Sequence, residues 1–227
     1  MIQAGSGFAL LYEDAALLVL DKPAGLLCVP GRGPDKQDCL SARVQAEFPD
    51  ALIVHRLDMA TSGLVLMARG IDNQRRLSAA FEARDVGKRY LAWVAGSLER
   101  DLATQDSNAQ EWQTIGLPIG ADWPNRPRQK IDATKGKPSL TRWRCAPVVG
   151  PNNLTDCTRI ELEPLTGRTH QLRVHMAAIG HPILGDALYA SGGVCAGADR
   201  LMLHAAQLVF SHPVTGKRLQ FDSPAPF

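Results

Sequence analysis

Nine consecutive residues, His55-Arg56-Leu57-Asp58-Met59-Ala60-Thr61-Ser62-Gly63, interrupt an otherwise apolar part of the sequence. They follow neither a helical period nor the alternation of a strand, whereas residues 53–54 and 64–67 on either side are apolar and typical of buried strands. We therefore predict a loop held between two core strands, a setting that fixes polar side chains in position. An Asp near a Gly usually just closes such a loop, so Asp58 alone does not indicate chemistry.

Helices and strands are predicted on both sides of this loop. Apolar spacing and stop signals predict helices over about 40–48 with Asp38 as N-cap, through about Ala83 with Asp72 as N-cap, and from Thr169 as N-cap to Gly180 as C-cap. Residues 98–137 are irregular, with at most one short strand. The predicted strands are 16–20, 26–29, 53–54, 64–67, 88–95, 138–145, 158–163, 203–210 and 218–221, the last two forming a hairpin. Without repeats or an obvious linker, this pattern predicts one mixed α+β domain.

Composition excludes several classes of protein. Of the 227 residues, 45% are hydrophobic and 21% are charged, which argues against disorder and against a disulfide scaffold. No apolar run approaches the roughly 18 residues that span a bilayer, and the first nine residues lack the features of a signal peptide, so we expect a cytoplasmic protein. The five cysteines are scattered without a C-x-x-C pair, which disfavours disulfides and structural zinc.

The distribution of charge leaves the partner open. A net charge of +2 is too small to indicate a nucleic-acid binder by itself. Two stretches, within residues 75–89 and 126–137, are locally basic and would suit phosphate. A solvated helix face and a mobile surface loop would explain the same charges equally well.

A second polar segment, residues 166–175, places two arginines and two histidines where a helix begins. His170 and His175 are five residues apart, which on a helix turns their rings about 140° from each other, so we exclude a two-histidine zinc site. The sequence also lacks the signatures of serine and cysteine nucleophiles and of nucleotide-binding loops. An Asp and several Arg side chains remain as candidates for chemistry, although a capped helix with solvated charges would also explain the segment.

Three motifs together resemble the RluA family of pseudouridine synthases. Residues 55–63 are similar to its H-R-L-D-x-x-T-S-G signature, and residues 88–96 are similar to its tyrosine-bearing strand. Residues 167–176 resemble its G-R-[ST]-H-Q-[IL]-R-V-H motif. A chance match to three long motifs in the right order is a poor explanation.

Shorter segments extend the resemblance from about residue 10 to the C-terminus. Residues 29–32 and 122–130 are most similar to the branch of the family that acts on both ribosomal and transfer RNA. The resemblance implies a mixed, mainly antiparallel central sheet flanked by helices and loops. It also implies a single catalytic domain over residues 1–227, with a tail at about 1–9 and no S4 RNA-binding domain. The shorter matching segments are residues 21–26, 180–186 and 203–205.

The resemblance implies an isomerase that converts uridine in RNA to pseudouridine without a cofactor or a metal. Asp58 matches the catalytic aspartate, Arg173 the arginine that pairs with it and keeps it ionised, and Tyr90 the tyrosine that stacks on uracil and handles a proton. Arg56 suits either a role in flipping the nucleotide out of its stack or a salt bridge that fixes the loop. The residues expected to contact the RNA substrate are Arg56, Thr61, Leu172, Arg126, Arg128 and Lys130.

The partners implied by the resemblance are stem-loops of 23S rRNA and tRNA, with the modified uridines at position 746 and position 32 respectively. Loops suit such an enzyme because their bases can splay out of the stack. We expect a monomer with no membrane or metal partner. Two other functions stay open at this point: a non-catalytic RNA-binding or chaperone protein, and a hydrolase of glycosidic bonds in RNA or nucleosides that uses Asp58.

Overall fold

A computed structural model of the chain describes residues 7–98, 111–147 and 156–227. Most of the tail expected at about 1–9, and residues 99–110 of the irregular region, lie outside the described residues. The chain divides into two compact units. The first unit is Met1–Lys88 with His204–Pro226, and the second unit is Arg89–Leu203 with Phe227.

Both units are built from short strands and a few helices. The strands are β1 (Ala9–Glu13), β2 (Leu17–Lys22), β3 (Ala51–Ile53), β4 (Ser62–Arg69), β5 (Gly87–Ala95), β6 (Gln113–Ile115), β7 (Ile119–Ala121), β8 (Gln129–Ile131), β9 (Thr141–Cys145), β10 (Cys157–Pro164), β11 (Leu203–Ser211) and β12 (Arg218–Asp222). The helices are α1 (Leu40–Glu47), α2 (Ile71–Ala83), α3 (Gln171–Ala178) and α4 (Gly192–Ala196), with single 3₁₀ turns at Pro34–Lys36 and Trp123–Asn125.

The central strand of the first unit is β4. It pairs antiparallel with β2 and β3, and β1 pairs antiparallel with β2. Its first two residues, Ser62 and Gly63, run parallel to His204 and Ala205 of β11, which in turn forms an antiparallel hairpin with β12. All residues of β4 except the last are buried, as the uninterrupted apolar run predicts.

Helix α2 covers the apolar core of the first unit. Leu77, spaced on one face with the partly buried Phe81, packs into the cluster of strand residues. Full burial of each such side chain contributes about 1.5–3 kcal/mol to folding. The buried members of the cluster are Leu17, Val19, Leu64, Leu66, Ala68, Leu77, Val86, Leu208 and Phe210.

The second unit is antiparallel throughout its described pairs. Strand β10 lies between β5 and β9, and β6 pairs with β9. The alternation of buried and half-buried residues along β10 is that of a strand with one face in the core. Strands β7 and β8 form a separate hairpin, and α3 packs on β8, β9 and β10.

The α+β class and the mixed, mainly antiparallel pairing predicted from the sequence are confirmed. The structure corrects five local predictions. Residues 26–29 are not a strand, since only Leu27 forms a bridge, to Cys39. The described part of 98–137 carries three short strands, β6, β7 and β8, rather than at most one.

The other three corrections concern helix N-caps. Helix α2 begins at Ile71 after Gly70, so Asp72 lies in its first turn and is not the cap. Helix α1 begins after Cys39, and the Asp38 carboxylate instead binds the Arg43 guanidinium at 2.7 Å. Helix α3 begins after His170, whose φ of 55° makes the sharp entry, so Thr169 is not the cap. No helix in the described ranges is long and apolar enough to cross a membrane.

Candidate active site

Buried groups hold the backbone of the loop that carries Asp58. The Leu57 backbone N–H donates to the Cys28 thiol sulfur at 3.2 Å, and the Leu57 side chain is buried. The Asp58 carbonyl accepts from the Thr61 N–H at 3.1 Å and closes a turn. Within this loop Arg56 is exposed, Asp58 is half-buried and Thr61 is buried. The loop therefore has a fixed backbone with the Asp58 and Arg56 side chains at its surface.

Lys22 is a buried cation beneath the same loop. Its side chain is fully buried, and its ammonium donates to the carbonyls of Pro23 and Leu26 at 2.8 Å and of Met59 at 3.1 Å. Burying an ammonium is costly unless its protons are hydrogen-bonded, so the three carbonyls hold this part of the chain to one geometry. Sequence reasoning placed Lys22 in a turn and did not identify this role.

His55 fixes the first end of the loop. Its Nε2 accepts a hydrogen bond from the Leu66 N–H at 2.9 Å, and its ring stacks on Phe81 with centroids 4.5 Å apart. Burial and the nearby Lys88 ammonium lower the pKa of His55 to about 3. The imidazole is therefore neutral at physiological pH, and its acceptor nitrogen stays available to the backbone of β4.

A chain of buried polar groups fixes the other end. The Ser62 hydroxyl lies 2.8 Å from His204 Nδ1, and His204 Nε2 lies 3.0 Å from the Ser223 hydroxyl. Ser223 donates in turn to an Asp21 carboxylate oxygen. Each polar group buried here has a partner, which is the condition under which such a network adds rigidity.

Gly63 allows β4 and β11 to approach each other at this point. Its φ of +110° lies in the region that favours glycine, and a Cβ there would lie 2.4 Å from the Ala205 carbonyl oxygen. The S-G pair at the end of the motif thus has a packing explanation: Ser62 joins the polar chain and Gly63 permits close contact.

In the second unit, Arg173 is held by a partner that the sequence analysis missed. Its Nε and Nη2 donate to the two Asp186 carboxylate oxygens at 2.8 and 2.7 Å, and both side chains are buried. Asp186 also accepts from the N–H groups of Leu188 and Tyr189, and the Arg173 guanidinium lies 5.2 Å from the Tyr189 ring centroid. This fork-to-fork pair fixes the guanidinium plane. The predicted pairing of Arg173 with Asp58 stays a prediction.

The start of α3 is organised by Gln171. Its side-chain oxygen accepts from the Thr166 hydroxyl at 2.6 Å and the Arg168 N–H at 3.0 Å, and its amide donates to Leu140 and Thr141. These bonds compensate for the missing side-chain cap at His170. Leu172, predicted to contact substrate, is buried on this helix, and Tyr90 is half-buried on β5 opposite Leu162.

The histidines of α3 are engaged in protein hydrogen bonds. His170 Nδ1 lies 2.7 Å from the Tyr189 hydroxyl. His175 is buried between the Thr141 hydroxyl and the Leu117 carbonyl, each at 2.9 Å, and burial lowers its pKa. Among the described residues, no group of three or more His, Cys, Asp or Glu side chains is arranged to hold a metal ion.

Three of the predicted RNA-contacting residues lie on the hairpin of β7 and β8. The Arg126 guanidinium stacks on the Trp123 ring at 3.5 Å, and Lys130 is exposed. Arg128 donates to the Leu188 carbonyl and lies 6.0 Å from the Tyr189 ring centroid, so it also has a structural role.

Comparison with known proteins identifies the family to which this chain belongs. Residues 16–178 match the family described as RNA pseudouridylate synthase. The chain therefore belongs to the RNA pseudouridylate synthase family, and it is an isomerase that converts uridine to pseudouridine in RNA.

Two similar proteins are named dual-specificity RNA pseudouridine synthase RluA. The protein from Yersinia pestis is 45% identical over 217 residues, 96% of this chain and 98% of that protein. The protein from Escherichia coli (strain K12) is 43% identical over 218 residues, 96% of this chain and 93% of that protein. Of the solved structures, human RNA pseudouridylate synthase domain containing 1 has a TM-score of 0.77 and 28% identity, covering all of this chain and 87% of that one. The family and the enzyme class predicted from the motifs are confirmed.

Proposed function

We propose that the protein modifies uridines in stem-loops of both ribosomal and transfer RNA, with Asp58 as the reacting carboxylate. The dual-specificity names of the similar proteins support the two RNA classes. The observation that carries the assignment of Asp58 is the loop around it, which His55 and Ser62 hold at its two ends. A carboxylate on such a loop keeps its position while the substrate changes shape.

The chemistry consumes no second substrate, because every heavy atom of the uridine is kept. The N1–C1′ bond breaks, the uracil turns, C5 bonds to C1′, the C5 hydrogen leaves as a proton and N1 gains one. The Asp58 carboxylate either attacks as a nucleophile or stabilises positive charge on the ribose, and both roles require its ionised form.

Tyr90, Leu172 and Arg173 keep the roles implied by the resemblance. The Tyr90 ring stacks on the uracil and its hydroxyl receives or returns a proton. Leu172 supplies apolar surface. The Arg173 guanidinium keeps the catalytic carboxylate ionised, as the resemblance implies. Its salt bridge with Asp186 holds the guanidinium in one plane.

Arg56 is proposed to assist nucleotide flipping. Its side chain is exposed on the Asp58 loop, so a guanidinium can fill the vacated stack or hold a flanking phosphate. Arg126, Arg128 and Lys130 supply further phosphate contacts. Thr61 is buried, which favours a part in closing the loop over a direct RNA contact. The protein works in this proposal as a cytoplasmic monomer.

The test of Asp58 measures tritium released from C5-labelled uridine in an anticodon stem-loop. We expect Asp58→Asn to abolish release while RNA affinity stays within a few-fold, because phosphate contacts are unchanged. Asp50→Asn, which loses an exposed salt bridge to Arg69 in the same unit, is the matched control and should release tritium normally. Release by Asp58→Asn near the normal rate would refute the assignment. Free uracil in the products would indicate hydrolysis.

The test of the RNA target compares three substrates: an anticodon stem-loop, the same stem with its target uridine paired, and full-length tRNA. We expect the first and third to react within about tenfold of each other, a difference of roughly 1.4 kcal/mol, and the paired form to react far more slowly. A 23S rRNA hairpin should react at a comparable rate. Reaction with only one RNA class would contradict dual specificity.

A further inference from the structure

The hairpin of β7 and β8 carries an exposed aromatic side chain that no packing requirement explains. Trp123 is 67% exposed, on the 3₁₀ turn that joins the two strands. An indole offers a large flat apolar face, so an exposed one can bury considerable area when a ligand covers it. The Arg126 guanidinium stacks on its ring at 3.5 Å and restricts its orientation.

Trp123 lines a cleft of about 520 Å³, a volume within the range of small-molecule sites. Arg126, which stacks on the indole, is not among the residues that line the cleft. The exposed lysines of the lining, Lys130 and Lys135, give it positive charge. The lining residues that matter for binding are Trp123, Pro124, Lys130, Ile131, Thr134 and Lys135.

Asp132, an acidic residue of the cleft lining, is occupied by the turn itself. One of its carboxylate oxygens accepts from the Thr134 N–H at 3.1 Å, the Thr134 hydroxyl at 2.9 Å and the Lys135 N–H at 2.9 Å. These donors, the Lys135 N–H first among them, lower the pKa of Asp132, so its carboxylate stays ionised. Lys130 and Lys135 together outweigh this single negative charge, so the lining is positive on balance.

Backbone hydrogen bonds and close packing hold the segments next to the cleft. Ile119 and Lys137 exchange two backbone hydrogen bonds, at 3.0 and 2.8 Å, and the Asp132 N–H donates to the Pro118 carbonyl at 3.0 Å. Gly136 sits so close to this backbone that a Cβ there would lie 2.3 Å from the Asp132 carbonyl oxygen. A preformed cleft of this kind loses little entropy when it binds.

We propose that this cleft binds one unpaired nucleotide of the RNA substrate, with the base stacked on Trp123 and the phosphate held by Lys130 and Lys135. An aromatic face next to lysines is the combination by which proteins bind single-stranded nucleic acid. The inference rests on the proposed function for the identity of the ligand. The inference goes beyond the proposed function because it names a second nucleotide site, separate from that of the reacting uridine, that contributes to RNA affinity.

The test measures binding of a fluorescein-labelled anticodon stem-loop to proteins that also carry Asp58→Asn, so that no turnover occurs. We expect Trp123→Ala to weaken binding about tenfold, a loss of roughly 1.4 kcal/mol, and Trp123→Phe to bind within about threefold. Val214→Ala, which removes another exposed apolar side chain, is the control and should bind normally. Lys130→Ala and Lys135→Ala should each reduce the salt dependence of binding.

Abasic substitution identifies the nucleotide. At one loop position, removing the base should weaken binding of the RNA about tenfold when the protein carries Trp123. The same abasic RNA and the intact RNA should bind equally to the Trp123→Ala variant. The inference is wrong if Trp123→Ala binds the stem-loop as tightly as the parent protein, or if it weakens binding to a loop-free duplex by the same factor. It is also wrong if every abasic substitution has the same effect on binding to the parent protein and to the Trp123→Ala variant. An acidic protein that competes equally well with RNA would also overturn it. These binding measurements do not depend on isomerisation. If the wild-type protein released no tritium, the proposed function would be refuted, but the binding data would still test the cleft.

Discussion

Replacing Gly63 by Ala is the sharpest test of how the Asp58 loop is positioned. The new Cβ would lie 2.4 Å from the oxygen, 2.6 Å from the nitrogen and 2.9 Å from the carbonyl carbon of Ala205. All three atoms are backbone, so no side-chain rotation can relieve the clash. The φ of +110° adds strain of order 1–3 kcal/mol for a residue with a Cβ.

Relief of the clash requires β4 to move away from β11, which breaks their short parallel pairing. Loss of one or two backbone hydrogen bonds costs about 0.5–1.5 kcal/mol each. Adding strain and lost pairing, we expect Gly63→Ala to lower the free energy of unfolding by about 2–5 kcal/mol, a large part of the 5–15 kcal/mol typical of a protein. Tritium release should fall as well, because the shift begins five residues after Asp58.

Urea unfolding followed by circular dichroism measures the loss, with two glycines as matched controls. Gly25 has a φ of +85°, but a Cβ added there would meet no atom within 4 Å, so Gly25→Ala isolates the strain. Gly167 has open space and no positive φ, so Gly167→Ala should cost little. If Gly63→Ala and Gly25→Ala destabilise equally, close contact with β11 does not matter and the reasoning fails.

Two further predictions concern buried groups. Arg173→Met should lower the free energy of unfolding by about 3–5 kcal/mol, because Asp186 stays buried without its cation, and Arg173→Met with Asp186→Leu should recover part of the loss in thermal unfolding. No recovery would contradict the importance of this pair. His55 has a pKa near 3 when folded and about 6.5 when unfolded, so the unfolded chain binds the extra proton between these values. Stability should therefore fall as the pH drops from 6.5 towards 3, by up to about 1.4 kcal/mol per pH unit from this group. In urea titrations at pH 6.5, 5.5 and 4.5, the free energy of unfolding of His55→Gln should fall less steeply with decreasing pH than that of the parent protein. His175 still contributes in the same direction. An unchanged slope would refute the assignment.

The sequence predicted most of the strands because their apolar runs are long or regular. The run 64–67 lies inside the buried β4, and the alternation of 158–163 lies inside β10. Helix α2 ends at Ala83 as predicted, since its apolar spacing is clear. Residues 26–29 misled us because a run of four apolar residues can also be buried without a strand partner along its length.

The parts of the site that the sequence did not reveal depend on long-range partners. Asp38 and Thr169 have the chemistry of N-caps, but the position before each helix is taken by Cys39, in extended backbone, and by His170, in the left-handed region. The pairing of Arg173 with Asp186 was missed because the two lie 13 positions apart, on a helix and in a loop. The G-D pair within residues 180–186 was the available signal.

The parallel contact of β4 with β11 also sets an order for folding. Ser62 and His204 are separated by 142 positions, and Asp21 and Ser223 by 202. Contacts between such distant residues form late, and during synthesis they require that β11 and β12 have left the ribosome. A nascent chain that still lacks β11 contains the Asp58 motif but cannot form the contacts of Ser62 and Gly63 with this strand. The Asp58 loop is therefore held at its Ser62 end only after residues 203–223 have been synthesised.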